Sequence, residues 1–425
     1  MIIHVVQSGE TTKSIAESYG ILEERLIIEN EIKNPNKLAI GETLIILYPE
    51  ITYVVQEGDT LQEIAEKMDV TVLQILQNNP YLSDREYLYP GESLVIKYTD
   101  KKSAALSTNG YAYPFIDRSV LKKTLPFLTY LTVFSYEVTE TGEMIDIDDN
   151  ELVNMANSFG VAPIMMLTAL ANNQLEAIHV VHSILQSFEK QDKFINELIQ
   201  MLQKKGYYGV NINTPYILPG DRSIYVDFIT RFINRLSTEG FKAFITLSLS
   251  TFEILTGAMY RDLEYEKLGQ LADGIILIAY EWGNAIGIPP ALLPYHNIQK
   301  LIYRMIQLIP PEKLYIGGAD IGFVWKLPYE ESVTKGLTIT YNLAIETAYE
   351  YNSEIFFDPT TISAYFQYIS ANEYMVRFRD ARSVKAFTCL VPRFGLNGIA
   401  IWNIMRFLPH LWLVVNSQYE IDKVL

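Results

Sequence analysis

One stretch of eight residues occurs twice near the start of the chain. His4-Val5-Val6-Gln7-Ser8-Gly9-Glu10-Thr11 returns as Tyr53-Val54-Val55-Gln56-Glu57-Gly58-Asp59-Thr60. The ends of the two copies match as well, Ile40-Gly41-Glu42-Thr43-Leu44-Ile45-Ile46 against Pro90-Gly91-Glu92-Ser93-Leu94-Val95-Ile96. Self-similarity at a fixed spacing marks one supersecondary unit used twice, so residues 1–49 and 51–99 are read as two copies of one small module.

Each copy reads strand, helix, helix, strand. Val5-Val6 and Leu44-Ile45-Ile46 are short β-prone runs bounded by glycine turns. Between them the spacing predicts helices over Thr12–Tyr19 and Glu23–Asn30, and in the second copy over Leu61–Met68 and Val72–Asn79. Thr60 precedes the apolar face Leu61, Ile64, Ala65 and has Glu63 three residues on, the pattern of a capping box.

This pattern resembles the LysM module, which binds N-acetylglucosamine-containing glycans such as peptidoglycan and chitin. The matching elements are the V-x-x-G-[DE]-T opening, the asparagine closing the second helix (Asn30, Asn79) and the late glycine (Gly41, Gly91). The resemblance implies a shallow sugar groove between the opening loop and the end of the second helix. Its contact residues would be Gly9, Glu10, Thr11 and Asn30 in the first module, and Gly58, Asp59, Thr60 and Asn79 in the second, with Thr12, Leu61 and Pro80 beside them. Backbone geometry alone accounts equally well for the glycines and asparagines, as positive-φ turns and helix C-caps.

Residues 1–100 carry 7 Lys+Arg against 17 Asp+Glu, and the whole chain has a formal charge of −16. Nothing here supplies the basic field that a nucleic acid or another polyanion requires. Neutral amino sugars are held by hydrogen bonds and apolar contact, so acidity does not disfavour them. The N-terminus lacks the basic start, apolar core and small-residue cleavage site of a sorting signal, and no run of apolar residues has the length of a membrane span.

Residues 100–109 read as a short polar linker. From Gly110 to Leu425 apolar strand runs alternate with helical stretches: Tyr130–Tyr136, Ala162–Thr168, Gly209–Asn213, Ala243–Leu249, Gly274–Tyr280, Leu314–Gly318 and Gly398–Trp402, with a further strand at or before Leu106–Tyr113. Strands alternating with helices imply a parallel sheet. At this length the expectation is an α/β fold, a single (β/α)8 barrel with a small α+β insertion at about 326–379 and its site at the C-terminal ends of the strands.

The barrel region resembles family 18 glycoside hydrolases, and more narrowly the bacterial spore cortical-fragment-lytic N-acetylglucosaminidases, which also carry two N-terminal LysM modules. The residues carrying the resemblance include Asn109-Gly110-Tyr111-Ala112, Phe134-Ser135-Tyr136, Ala279-Tyr280-Glu281-Trp282-Gly283, Pro289-Pro290, Asp380-Ala381-Arg382-Ser383 and Trp402. In the family the fourth barrel strand ends in D-x-x-D-x-D-x-E. Here the same stretch is Tyr208-Gly209-Val210-Asn211-Ile212-Asn213-Thr214-Pro215. By the resemblance, Tyr208 stands at the first Asp, Asn213 at the last Asp and Pro215 at the catalytic Glu.

In the family that Glu protonates the leaving oxygen, and the neighbouring Asp orients the substrate's own 2-acetamido group, whose carbonyl is the nucleophile. Pro215 has no proton to give and Asn213 no charge with which to stabilise an oxazolinium ion. General acid catalysis alone is worth roughly 10²–10⁴-fold, so losing both groups removes nearly all of the family chemistry. Glu281 and Asp320, each at a strand end, are the fallback acids for a relocated site. Tyr136, Asn211, Tyr280, Glu281, Trp282, Trp325 and Trp402 are the expected glycan contacts of the barrel cleft, since aromatic faces stack on pyranose rings without acid chemistry. Tyr365, Phe366, Tyr368 and Tyr374 in the insertion are expected to form one cleft wall.

His179 and His182, at i, i+3, show no metal-ligand set, and Gly317-Gly318 is not a phosphate loop, so neither metal nor cofactor is expected. The single cysteine, Cys389, excludes an internal disulfide and is expected to be buried. Taken together, the two resemblances imply a protein that binds peptidoglycan or another N-acetylglucosamine glycan in the spore cortex or coat, with coat or cortex proteins as further partners. Its hydrolase barrel is expected to be inactive. The alternatives are an active cortex N-acetylglucosaminidase using Glu281 or Asp320, and a structural coat protein whose cleft is blocked by Tyr208 or Pro215.

Overall fold

The computed structural model describes residues 1–168, 174–213, 217–248, 264–278, 295–330 and 333–425. In the first repeat β1 (Ile2–Val5) and β2 (Thr43–Ile46) pair antiparallel around helices Thr12–Tyr19 and Glu23–Glu29. In the second, β3 (Pro49–Val54) and β4 (Ser93–Tyr98) enclose helices Leu61–Met68 and Val72–Asn78. The caps explain the helix starts: Thr11 with Ser14, Thr60 with Glu63 and Thr71 with Gln74 each form a reciprocal capping box. Such a cap is worth about 1 kcal/mol, which matters in helices of two turns. The two small cores use matching positions, Val6, Ile15, Leu26, Leu44 and Ile46 against Val55, Ile64, Ile75, Leu94 and Ile96.

The rest of the chain is built on eight parallel strands: β5 (Ala104–Ala112), β6 (Tyr130–Val138), β8 (Ala162–Thr168), β9 (Gly209–Asn213), β10 (Lys242–Ser248), β11 (Gly274–Ile278), β12 (Leu314–Ala319) and β18 (Gly398–Trp402). They are ordered β5-β6-β8-β9-β10-β11-β12-β18, and β18 pairs back with β5, so the sheet closes into a barrel. Two short strands append to it, β7 (Met144–Ile145) on β6 and β19 (Tyr419–Ile421) on β5. Side chains alternate across the wall. Tyr130, Ile164, Met166, Phe244, Ile276 and Tyr315 fill the inside, while Leu131, Val133, Met165, Val210, Ile245 and Ile275 meet the surrounding helices. No helix among the described residues is long and apolar enough to cross a membrane.

Most of the expected linker 100–109 is strand. Ser107, Thr108 and Asn109 look like linker residues, but all three are buried in β5. Their polar groups are satisfied inside the fold: the Thr108 hydroxyl donates to the Phe127 carbonyl at 2.5 Å, Asn109 Oδ1 accepts from Thr132 at 2.7 Å, and Ser107 meets the Tyr315 hydroxyl at 3.3 Å. Buried polar side chains are tolerated where each finds a partner.

The insertion begins at Gly322, earlier than expected. Strands β13 (Gly322–Leu327), β14 (Leu337–Ile339), β15 (Phe356–Asp358), β16 (Ser363–Ile369) and β17 (Glu373–Phe378) form an antiparallel sheet ordered β14-β13-β17-β16-β15. Helix Tyr341–Glu350 covers one face, with Ala344 and Ala348 in a common core with Phe366, Val376 and Phe378. The first repeat docks on this insertion. The Ile355 N–H donates to the Ile40 carbonyl at 2.9 Å, the Tyr341 hydroxyl to the Thr43 carbonyl at 3.5 Å, and the Ala381 N–H to Thr43 Oγ1 at 3.4 Å. The second repeat docks on the barrel itself, through Gln77 Nε2 to the Pro126 carbonyl at 2.8 Å and Asn416 Nδ2 to Asn78 Oδ1 at 2.9 Å.

Candidate functional site

The C-terminal ends of β5, β6 and β18 carry a cluster of rings. Trp402 is half-buried and meets Phe134 edge-on at 4.8 Å, Tyr113 at 5.9 Å and Tyr111 at 5.6 Å. Phe115, 76 % exposed, stacks on Tyr113 at 5.2 Å and 22°. This is an aromatic floor at the end of the barrel where such folds place their sites. Trp402 was expected there; Tyr113, Phe115 and Phe134 were not. Phe134 is two residues before Tyr136, the aromatic expected at this place.

Tyr136 is not part of the aromatic rim; it borders only the small apolar pocket of about 70 Å³ that Asn213 also borders. Between Val133 and Tyr136 the pairing of β6 with β8 slips. A bulge of this kind reverses the alternation of side chains, so Phe134 faces the barrel interior and Tyr136 faces outward. There the Tyr136 hydroxyl donates to Asp149 Oδ2 at 2.5 Å, as does the Tyr207 hydroxyl, while Lys205 Nζ reaches Asp149 Oδ1 at 2.7 Å. Burial, and then the Asp149 carboxylate, raise the Tyr136 phenol far above its ordinary value. This is a satisfied ionic cluster outside the barrel wall, with a structural role.

Other expected contacts also move. Asn211 is fully buried inside the barrel, donating to the Tyr111 hydroxyl at 3.1 Å and accepting from Thr246 at 2.8 Å. Burial raises the Tyr111 hydroxyl to about 12, so it stays protonated. Trp325 is wholly buried in the insertion sheet, beside Phe323 and against Gly336, where a Cβ would lie 2.6 Å from Nε1. Tyr208 precedes β9 and packs near Tyr130 at the opposite end of the barrel, so it blocks nothing at the C-terminal rim. In the insertion Phe366 is core, and Tyr368 stacks on Tyr374 at 5.0 Å and meets Tyr351 in a tilted pair at 4.6 Å. Pro215, Tyr280, Glu281 and Trp282 lie outside the described residues.

Asn213 ends β9. Its Oδ1 is buried with no hydrogen-bond partner among the described residues, and the side chain borders a small apolar pocket of about 70 Å³ that Thr168, Val181, Tyr225 and Phe228 also line. Asp320 follows β12, three strand positions round the barrel from β9. It pairs with His410 Nε2 at 3.0 Å and faces a pocket of about 420 Å³ together with Asn342, Asn403 and Arg406. His410 in turn stacks on Tyr341 at 4.3 Å.

In the two repeats, the opening turns Gly9–Thr11 and Gly58–Thr60 are largely exposed, with Glu10 and Asp59 holding the turn through the backbone N–H of Gln7 and Gln56. That hydrogen bond contributes to lowering the Asp59 carboxyl. Asn30 and Asn79 are structural. Asn30 Nδ2 donates to the Leu26 and Ile45 carbonyls, and Asn79 Nδ2 to those of Ile75 and Val95, so neither amide is free for a sugar. Two minor expectations also change. His182 pairs with Asp221, distant in sequence, at 2.7 Å, and Cys389, expected to be buried, is exposed at the C-terminal end of helix Ala381–Thr388.

A closed (β/α)8 barrel with an aromatic rim, preceded by two βααβ modules, defines the class of this protein as a modular barrel protein. The chain belongs to the glycosyl hydrolases of family 18, whose profile matches residues 181–406, and the LysM domain matches residues 4–47 and 53–97. It is 28% identical to the cortical fragment-lytic enzyme of Bacillus anthracis over 430 residues, covering 99% of both chains. The corresponding enzyme of Bacillus subtilis (strain 168) is 27% identical over 431 residues, covering 100% of this chain and 99% of that one. The crystal structure of the Bacillus megaterium QM B1551 spore cortex-lytic enzyme SleL superposes with a TM-score of 0.81 at 26% identity, covering 100% of this chain and 99% of that one.

Proposed function

We propose that the protein is a spore-associated peptidoglycan-binding member of family 18 whose barrel does not hydrolyse glycosidic bonds. The observation that carries this reading is the end of β9. Asn213, followed by Thr214-Pro215, stands where the family motif has Asp-x-Glu. Neither side chain can donate a proton to a leaving oxygen, and a neutral carboxamide gives an oxazolinium ion no counter-charge. The LysM modules with their exposed opening turns supply binding to N-acetylglucosamine-containing glycan, and the aromatic rim around Trp402 supplies a second sugar surface. The likeness to cortical fragment-lytic enzymes supports the spore cortex as the source of that glycan, and coat or cortex proteins are the neighbours proposed with it.

A second reading keeps the enzyme active through a relocated acid. What favours it is Asp320, a carboxylate at a strand end facing a polar pocket on the C-terminal side of the barrel. The experiment that separates the two is digestion of purified cortex fragments and of chitooligosaccharides, resolved by mass spectrometry, beside cosedimentation with peptidoglycan. The expected result is cosedimentation without products. Products from the unaltered protein would overturn the proposal and direct attention to Asp320 and Glu281.

A further inference from the structure

The docking of the first LysM module on the insertion forms a pocket at an edge that the second module leaves open. Its volume is about 200 Å³. One wall is the loop after the module's second helix, including Lys33, Asn34 and Lys37. The other is the insertion helix Tyr341–Glu350, presenting Asn342, Glu346 and Tyr349. Lys33 Nζ meets Glu346 at 3.6 Å, and Lys37 Nζ sits 5.6 Å over the Tyr349 ring.

The walls are fixed relative to each other by the bonds that join Ile40 and Thr43 to Ile355, Tyr341 and Ala381. In the second module the matching edge is open: Gly91 and Ser93 are exposed where Gly41 and Thr43 are buried. The pocket is therefore a product of the two domains together. A site held in place before its ligand arrives loses less ordering entropy on binding.

We infer that this pocket is a glycan-contact site that takes an N-acetylated hexosamine unit of a chain held by the first LysM module. The inference rests on the reading of the LysM modules as glycan binders and extends it to the insertion helix. Three observations carry it. First, the carboxamides of Asn34 and Asn342 have no side-chain hydrogen bond among the described residues. A carboxamide both donates and accepts, which matches an acetamido group and ring hydroxyls. Second, Tyr349 is 39% exposed, leaving part of its ring to meet the apolar face of a pyranose. Third, two lysines stand against Glu31, Glu346 and Glu350 around the pocket, besides the buried Glu42. That balance repels phosphate-rich polymers and leaves a neutral sugar as the fitting occupant.

The test is hydrogen exchange of the full-length protein, read by mass spectrometry, with and without saturating chitotetraose. Amides in 30–37 and in 341–350 are expected to slow together. In an Asn342→Ala/Tyr349→Ala double variant, protection of 30–37 and 341–350 is expected to fall while that of the second module's opening turn, 58–61, persists. Protection of 58–61 with unchanged exchange in 341–350 would overturn this inference and leave the LysM reading standing. No protection anywhere at saturating sugar would overturn both.

Discussion

Phe134 and Tyr136 lie two residues apart on β6 and face opposite sides of the barrel wall. The slip in pairing after Val133 sends Phe134 to the aromatic rim beside Trp402 and Tyr136 to the buried cluster of Asp149, Lys205 and Tyr207. The tyrosine therefore serves stability, and its loss has a signature that separates it from a sugar contact. Asp149→Ala leaves the Lys205 ammonium buried with only Asp146 as a carboxylate partner, and uncompensated buried charges cost about 3–5 kcal/mol. Tyr136→Phe removes the hydrogen bonds to Asp149 and from Lys205 but leaves those two charges paired with each other, a smaller loss of about 1.5–3 kcal/mol. Urea unfolding is expected to rank the two variants in that order, with chitotetraose affinity of the folded proteins equal to the parent. A loss of affinity in Tyr136→Phe without a loss of stability would return the residue to the cleft.

Gly41 and Gly91 are equivalent glycines with different surroundings. Both have positive φ, +86° and +91°. A Cβ on Gly91 would meet nothing within 4 Å, whereas on Gly41 it would stand 2.0 Å from the Ile355 carbonyl oxygen. Alanine at either site bears the left-handed strain, about 1–2 kcal/mol. Only Gly41→Ala must also push the first module off the insertion. Thermal unfolding is expected to show a clearly larger loss for Gly41→Ala than for Gly91→Ala, with limited proteolysis detecting release of the first module in that variant alone. Equal losses would mean that the docked edge carries no stability.

These contrasts bear on what the sequence makes legible. The repeat spacing, the capping threonines and the alternation of apolar runs are local signals, and they place the helices of both modules and eight barrel strands within a few residues. The departures all come from tertiary context. The linker vanished because Ser107, Thr108 and Asn109 find partners on Tyr315, Phe127 and Thr132, groups far along the chain. Tyr136 was misplaced because a bulge leaves no mark in side-chain pattern. Trp325 was read as a platform because exposure cannot be inferred from residue type; only the packing of Phe323 and Gly336 against it decides. The pocket beside Tyr349 could not be foreseen at all, since it exists only where the first repeat meets the insertion.

Glu42 makes that junction sensitive to pH. Its counterpart, Glu92, pairs with Arg85 at 2.9 Å. Glu42 is buried with a hydrogen bond from the Ala39 N–H at 3.1 Å, and burial pushes its carboxyl up to about 7. A carboxyl raised on folding stabilises the native state in its protonated form. That contribution is fully present below the unfolded value of 4.5 and is lost as pH rises through about 7. Glu42→Gln fixes the neutral form. The variant is expected to match the parent in thermal stability at acid pH and to exceed it above neutrality, the difference growing across that window. A difference independent of pH would show that the Glu42 carboxyl titrates alike in the folded and unfolded chain, and that burial does not raise it.

The end of β9 provides the decisive test of the barrel. If the cleft has kept its shape and lost only its reactive groups, restoring them should restore chemistry. Pro215→Glu supplies the proton donor, and Asn213→Asp supplies the charge that orients and stabilises the acetamido group. The two act on one intermediate, so their effects should be strongly non-additive. Asn213→Asp alone also places a carboxylate beside an apolar pocket, where desolvation raises its protonation midpoint, so this single variant is expected to lose stability as pH rises. The double variant is expected to release N-acetylglucosamine-containing products from chitooligosaccharides, with each single variant near background. Continued inactivity of a folded double variant that still binds chitotetraose would place the loss of function in the shape of the cleft as well as in its two replaced side chains.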